Sequence, residues 1–338
     1  MRRDYNMKVL CMGETLLRYS TLKGHRMSEL EFQIHIGGSE TNIAVSLAQY
    51  GFQTSLLTKL PNHAIGDAVI SFLKKYDVNT RYILRNDMRM GSYFLENGSG
   101  NRSSQVIYDR QYSAMTSFSL NDIVLEDIFQ DVEVFVVSGV TVALNESIKN
   151  AVVEMIKYCQ GNDIIVIYDS NYRAKMWSIE EAGKAFKDIL PYVDILSAGY
   201  LDAQNFLGLT STQDSFEKKL EEIYIQMKVK YPNLKYITST KRNIISTSVN
   251  DLTGYLYDDV LHASKTYHID DIVDRVGGGD AFMSGLLFGL LNHKDINYSL
   301  EFGCCASVLK HTIYGDANTF SIQEIESFME NGTTQIHR

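Results

Sequence analysis

Short β-branched runs alternate along this chain with longer amphipathic stretches, and that alternation limits the fold more than any other feature. Residues 8–13, 54–59, 133–138, 164–169, 193–197 and 235–239 read as strands. Helical patterns fill the gaps at 41–50, 65–76, 145–159, 179–190 and 215–228. Unbroken apolar strands separated by helices imply an α/β fold, a mainly parallel central sheet with helices on both faces. In such sheets ligands bind beyond the carboxyl ends of the strands. Three of those ends carry polar or glycine residues: Ser138-Gly139, Asp169-Ser170-Asn171 and Ser197-Ala198-Gly199.

Two regions break the pattern. Residues 14–36 and 88–112 lack a helical period and carry alternating, aromatic-rich pieces such as Phe32-Gln33-Ile34-His35-Ile36 and Ser92-Tyr93-Phe94-Leu95. Four short strands outside the parallel core form a small separate sheet, with Asn97-Gly98-Ser99-Gly100-Asn101 as a hairpin tip. Such a sheet either covers a site or decorates an edge.

The chemistry points to residues 273–291. Gly277-Gly278-Gly279 ends a short extended run, Asp280 follows, and an almost wholly apolar segment begins there. Glycines let backbone N–H groups crowd an anion without a Cβ in the way, and a helix start favours negative charge. A carboxylate beside an anion hole suits phosphoryl transfer, taking the proton of an attacking hydroxyl while the hole holds the phosphoryl charge. Read alone, the same string is also a plain turn with Asp280 as helix cap. A helix start should keep Asp280 ionised, so position rather than a raised pKa is expected to make it a base. A second glycine pair, Gly37-Gly38, precedes the helix near Thr41, and Asn42 reaches from its first turn either toward a ligand hydroxyl or into a polar core.

Composition narrows the partners. A chain of 338 residues with 45% hydrophobic content can bury a large core. No apolar run reaches the ~20 residues that span a bilayer, and the first residues lack the apolar region of a secretory signal. Cys11, Cys159, Cys304 and Cys305 show no metal-ligand spacing and read as reduced thiols of a cytoplasmic protein. A net charge of −9 argues against nucleic acid, and it means that an anionic substrate must be met by a few placed cations.

Asp274-Arg275-Val276-Gly277-Gly278-Gly279-Asp280-Ala281-Phe282 resembles the C-terminal signature of the ribokinase-like (PfkB) carbohydrate kinases, and Gly37-Gly38-Ser39-Glu40-Thr41-Asn42-Ile43-Ala44 their N-terminal one. Between them, Arg89 to Glu96, Val106-Ile107-Tyr108-Asp109-Arg110 and Ser113-Ala114 resemble the 2-keto-3-deoxygluconate kinase branch, as do Gly13-Glu14 and Leu17-Arg18. The resemblance implies one kinase domain over 7–330, with lid segments at about 14–36 and 88–112 and tails at 1–6 and 331–338. It also implies ATP and Mg2+ as cofactors, a small sugar acid as substrate and a homo-oligomer through the lid sheet.

Carried over residue by residue, Asp280 is the base and Gly277, Gly278 and Gly279 form the anion hole, with Gly277 and Gly279 also touching nucleotide. Gly37, Gly38, Asn42, Tyr93, Tyr108, Arg110, Asp169 and Arg173 are expected around the substrate. Arg110 and Arg173 align with the arginines that read its carboxylate. Asp169 either orients Arg173, joins a metal–water network or caps its strand. Ser197, Gly199, Asp202 and Thr238 fall on the nucleotide side, and no side chain is assigned directly to the metal. The family's Asn-x-x-Glu becomes Gly199-Tyr200-Leu201-Asp202 here, a departure at the magnesium–phosphate network. A second substrate reading is another PfkB sugar kinase such as a fructokinase, and a third is a catalytically lapsed sugar-acid binder.

Overall fold

A computed structural model describes residues 5–332. The strands are β1 (Tyr5–Met12), β2 (Leu16–Thr21), β3 (Phe32–Gly37), β4 (Phe52–Pro61), β5 (Ile83–Asn86), β6 (Gly91–Glu96) and β7 (Gln105–Asp109). They continue as β8 (Val134–Ser138), β9 (Ile165–Asp169), β10 (Ile195–Ser197), β11 (Tyr236–Ile244), β12 (Asn250–Tyr257), β13 (Leu261–Ala263) and β14 (Tyr267–Ile269). Ten of them make one sheet in the order β13-β12-β11-β10-β9-β8-β1-β4-β5, with β14 also paired to β12. Every pairing from β5 through β11 is parallel, whereas β12 pairs antiparallel with β11, β13 and β14. The parallel core is as the sequence pattern implies. The antiparallel edge was not read from it.

Side-chain alternation divides the core into two apolar layers. Leu10, Met12, Phe135 and Val137 pack on one face against helices Glu146–Gly161 and Ile179–Ile189. Val9, Cys11, Val134 and Val136 pack on the other against helices Ser39–Gln49, Gly278–Leu291 and Ile296–Lys310. The chain leaves β1 toward β4 and returns to β8 on β1's other side, so the crevice at these carboxyl ends is a topological switch point.

The remaining strands form the separate sheet β3-β2-β6-β7. Its register aligns Arg18 with Tyr93 and Tyr93 with Tyr108, placing all three on one face. The other face carries Tyr19 stacked on Phe94 at 5.0 Å, with Ile34 and Ile107 exposed beside them. Ser99 and Arg102 exchange backbone hydrogen bonds at the tip expected for 97–101.

Candidate active site

Helices Ser39–Gln49 and Gly278–Leu291 point their N-termini at each other across the mouth of the sheet. Each begins with a glycine whose backbone excludes other residues. Gly38 sits at φ 129, where a Cβ would lie 2.3 Å from the Glu14 carbonyl oxygen, and Gly277 sits at φ 79, where one would lie 1.7 Å from that of Asp316. Asp280 is the third residue of its helix, and its carboxylate is held by the opposite turn. Ser39 Oγ donates to Oδ1 at 2.8 Å and Asn42 Nδ2 to Oδ2 at 2.7 Å. Asn171 Nδ2 in turn donates to Ser39 Oγ at 2.8 Å.

The expectation that the helix start alone governs Asp280's ionisation is corrected by this geometry. Burial pushes its pKa up, against the Asn42 and Ser39 hydrogen bonds and the nearby Arg173 and Lys310 charges. Asp280 is therefore a stronger base than an exposed aspartate. Asp169, at the end of β9, is pushed up to about 7, first by burial and then by the Asp280 charge. It also accepts the Asn171 N–H at 3.2 Å, the strand-end cap among its three expected roles.

A cavity of about 560 Å³ joins these groups. Gly38, Ser39, Asn42, Asp169, Gly279 and Asp280 form one wall, with Gly277 beside them. The lid sheet contributes Tyr93 and Tyr108, and Arg110 and Arg173 also reach in. Arg110 is buried. Its Nε donates to Glu14 Oε2 at 2.5 Å, while its Nη2 is buried with no partner. Arg173 is exposed and, among the described residues, donates only to the carbonyls of Asn171 and Tyr172, at 3.3 and 3.0 Å. Tyr93 donates its hydroxyl to Asp316 Oδ2 at 2.8 Å. Asp316 is held by Arg18 Nε at 3.0 Å, and Arg18 also forks onto Asp274 just ahead of the glycine turn. A buried charge network thus ties the lid to the anion hole.

Several expected residues lie elsewhere. Thr238 is buried and donates to the Tyr255 carbonyl at 2.8 Å, so its side chain serves the β11–β12 pairing rather than the cavity. Ser197, Gly199 and Asp202 do not line this cavity. Asp202 instead accepts the Gly199 N–H at 2.8 Å as the cap of its own helix. Gly37 packs on Asp316 and Gly278 on His311, behind the cavity wall. Ser39, Asn171, Thr240, Arg242, Arg275 and Asp316 do line it and were not singled out as site residues. Ser39 and Arg275 lie inside the two glycine motifs and were within reach of the sequence argument. Among the described residues no group of three or more His, Cys, Asp or Glu side chains could hold a metal ion.

A half-buried carboxylate of raised proton affinity, beside helix starts whose first N–H groups lack intrahelical acceptors, has the parts that phosphoryl transfer to an alcohol needs. The family profile described as pfkB family carbohydrate kinase matches residues 6–322. A 2-dehydro-3-deoxygalactonokinase of Haloferax volcanii is 27% identical over 98% of this chain and 99% of its own. A 5-dehydro-2-deoxygluconokinase of Clostridium tetani is 25% identical over 88% and 85%. The crystal structure of 2-dehydro-3-deoxygluconokinase from Thermotoga maritima superposes with a TM-score of 0.92 at 37% identity, covering 96% of this chain and 100% of that one. The chain belongs to the PfkB family of carbohydrate kinases, with the ribokinase-like fold.

Proposed function

We propose that this kinase transfers the terminal phosphoryl group of ATP to the C6 hydroxyl of 2-keto-3-deoxygluconate. The observation that carries the reading is the meeting of Asp280 with Arg110 and Arg173 in one cavity. Asp280 takes the hydroxyl proton, the sugar oxygen bonds to the γ-phosphorus, and the bond from that phosphorus to the β-phosphate oxygen breaks to leave ADP. Ser39 and Asn42 hold the carboxylate in line. Arg173, bound among the described residues only to backbone carbonyls, is available to pair with the substrate carboxylate, and the orphaned Nη2 of Arg110 offers a second donor. Three similar proteins named for keto-deoxy sugar acids support the acidic substrate.

When bound, magnesium would shield the phosphate charge, and the residues fit it. Magnesium is commonly held by one or two carboxylates together with phosphates and water. Asp169 and Asp280 both line this cavity, and the Asp280 charge raises the proton affinity of Asp169, a repulsion that a divalent ion would relieve. The exposed Ile34 and Ile107 of the lid's outer face support pairing with a second copy, which sedimentation of I34D checks. Four free, buried cysteines suit a reducing cytoplasm, and no described helix is long and apolar enough to cross a membrane.

A coupled ADP-release assay over keto-deoxy gluconate and galactonate, 5-dehydro-2-deoxygluconate, fructose and ribose tests the substrate. Turnover of fructose or ribose without any sugar acid would overturn it. Arg110→Leu should lose the acids selectively, and equal loss on neutral sugars would return Arg110 to a structural role.

A further inference from the structure

The charges around the cavity do not balance, and the imbalance is local. Arg18 is neutralised by Asp274 and Asp316, and Arg110 by Glu14. Arg242 on β11 and Arg275 ahead of the glycine turn also line the cavity, yet among the described residues neither forms an ion pair. Arg242 Nε is buried and finds no acceptor. Burial and then the Arg275 charge push Arg242 down to about 10, and burial lowers Arg275 as well. Two partly desolvated cations facing each other cost free energy that a bound anion recovers.

Their position says which anion. Arg275 stands two residues before Gly277, the cap of the helix whose first turn carries Asp280. A Cβ on Gly279 would meet nothing within 4 Å, so this part of the helix start is open to the cavity. Arg242 shares one face of β11 with Thr240 and Ile244, and Val276 completes this end of the cavity. Two forked guanidinium groups beside an open helix start suit a polyanion, whereas a single carboxylate is already met by Arg173.

We propose that Arg242 and Arg275 together hold the terminal phosphates of the nucleoside triphosphate, leaving Arg110 and Arg173 to the acceptor; this rests on the kinase reading above. The test is calorimetric binding of a non-hydrolysable ATP analogue with magnesium, of inorganic tripolyphosphate and of 2-keto-3-deoxygluconate. Wild-type protein is compared with Arg242→Gln and Arg275→Gln. Each substitution should weaken the analogue and tripolyphosphate by about 10–100-fold, the scale of a lost charged hydrogen-bonding partner, and leave sugar-acid affinity unchanged. Unchanged analogue affinity in both variants overturns the proposal, as does a loss confined to the sugar acid. Because each arginine repels the other, neither variant should melt below wild type. Should the glutamine variants not fold, Arg242→Lys and Arg275→Lys carry the test, since they keep the charge but lose the fork. Intermediate analogue affinity supports the pair, and wild-type affinity overturns it. Wild-type protein that binds tripolyphosphate but phosphorylates no sugar acid refutes the substrate and leaves this inference standing.

Discussion

The two glycine-initiated helices present the same local device put to opposite ends. Each follows a left-handed glycine, and each carries a carboxylate in its first turn: Glu40 after Gly38, Asp280 after Gly277. Burial raises both. Glu40 is fully buried and turned inward, where Oε1 accepts the Ser138 N–H at 2.8 Å and the Ser138 hydroxyl at 2.7 Å. Asp280 is half-buried, turned outward into the cavity and held by side chains of the opposite turn. A raised pKa therefore does not by itself mark a catalytic group. Access to the cavity separates the base from the strut.

The sharpest way to break the comparison is to exchange each carboxylate for its amide. Asp280→Asn should lower kcat by about 10²–10⁴-fold, the usual contribution of a positioned general base, with the fold intact by circular dichroism. Glu40→Gln should leave kcat within the range of wild type. Comparable losses in the two would erase the distinction between them.

Next come the turns. Gly277→Ala forces a Cβ to 1.7 Å from the Asp316 carbonyl oxygen at φ 79, and Gly38→Ala to 2.3 Å from that of Glu14 at φ 129. Both should destabilise by more than the roughly 1–3 kcal/mol of an isolated strained residue, because backbone atoms must move. Urea unfolding measures this. Gly277→Ala should cost the more, since it also disturbs the segment anchored by Arg18 and Asp274.

A smaller effect sharpens the electrostatics. Ser39→Ala removes one donor from Asp280, so its pKa rises further. The base works ionised, and activity falls as pH drops through that pKa, so the acid limb of kcat/KM should move to higher pH. Asp169, pushed up to about 7 in part by the Asp280 charge, still holds its proton while Asp280 titrates, so Asp169→Asn should leave that limb in place. A limb shifting in the reverse sense would show that another group controls the profile.

What was legible in the sequence was local. The glycine strings, the strand–helix alternation and the aromatic lid pieces each reside in a few neighbouring residues. The helix Ile296–Lys310 escaped because it is buried nearly all round and so lacks an amphipathic period. Asp316, and the ion-pairing role of Arg18, escaped because their partners are distant in the chain, 223 residues from Tyr93 and 256 from Asp274. Thr238 was placed at the cavity for the opposite reason: its strand was read without its phase, and alternation turns its hydroxyl to the Tyr255 carbonyl on β12 while Thr240 faces the cavity.

The last effect follows from Glu40 alone and is read in stability only. Its pKa of about 7, raised by burial, exceeds that of an unfolded glutamate near 4.3. Between those values the native state retains a proton that the unfolded chain has released, so stability falls as pH rises through that window and levels off above about 7. At about 1.4 kcal/mol per pH unit over about 2.7 units the loss is at most about 4 kcal/mol. Glu40→Gln has no proton to lose, and its amide oxygen can still accept from Ser138. Its unfolding free energy should therefore decline less between pH 5 and 8 than that of wild type. A residual slope should persist from other carboxylates that burial raises, Asp169 to about 7 and Asp316 to about 6, and adding Asp169→Asn should reduce it further. A variant that keeps the full wild-type slope would mean that Glu40 is already charged in the native protein, with the two Ser138 donors outweighing its burial.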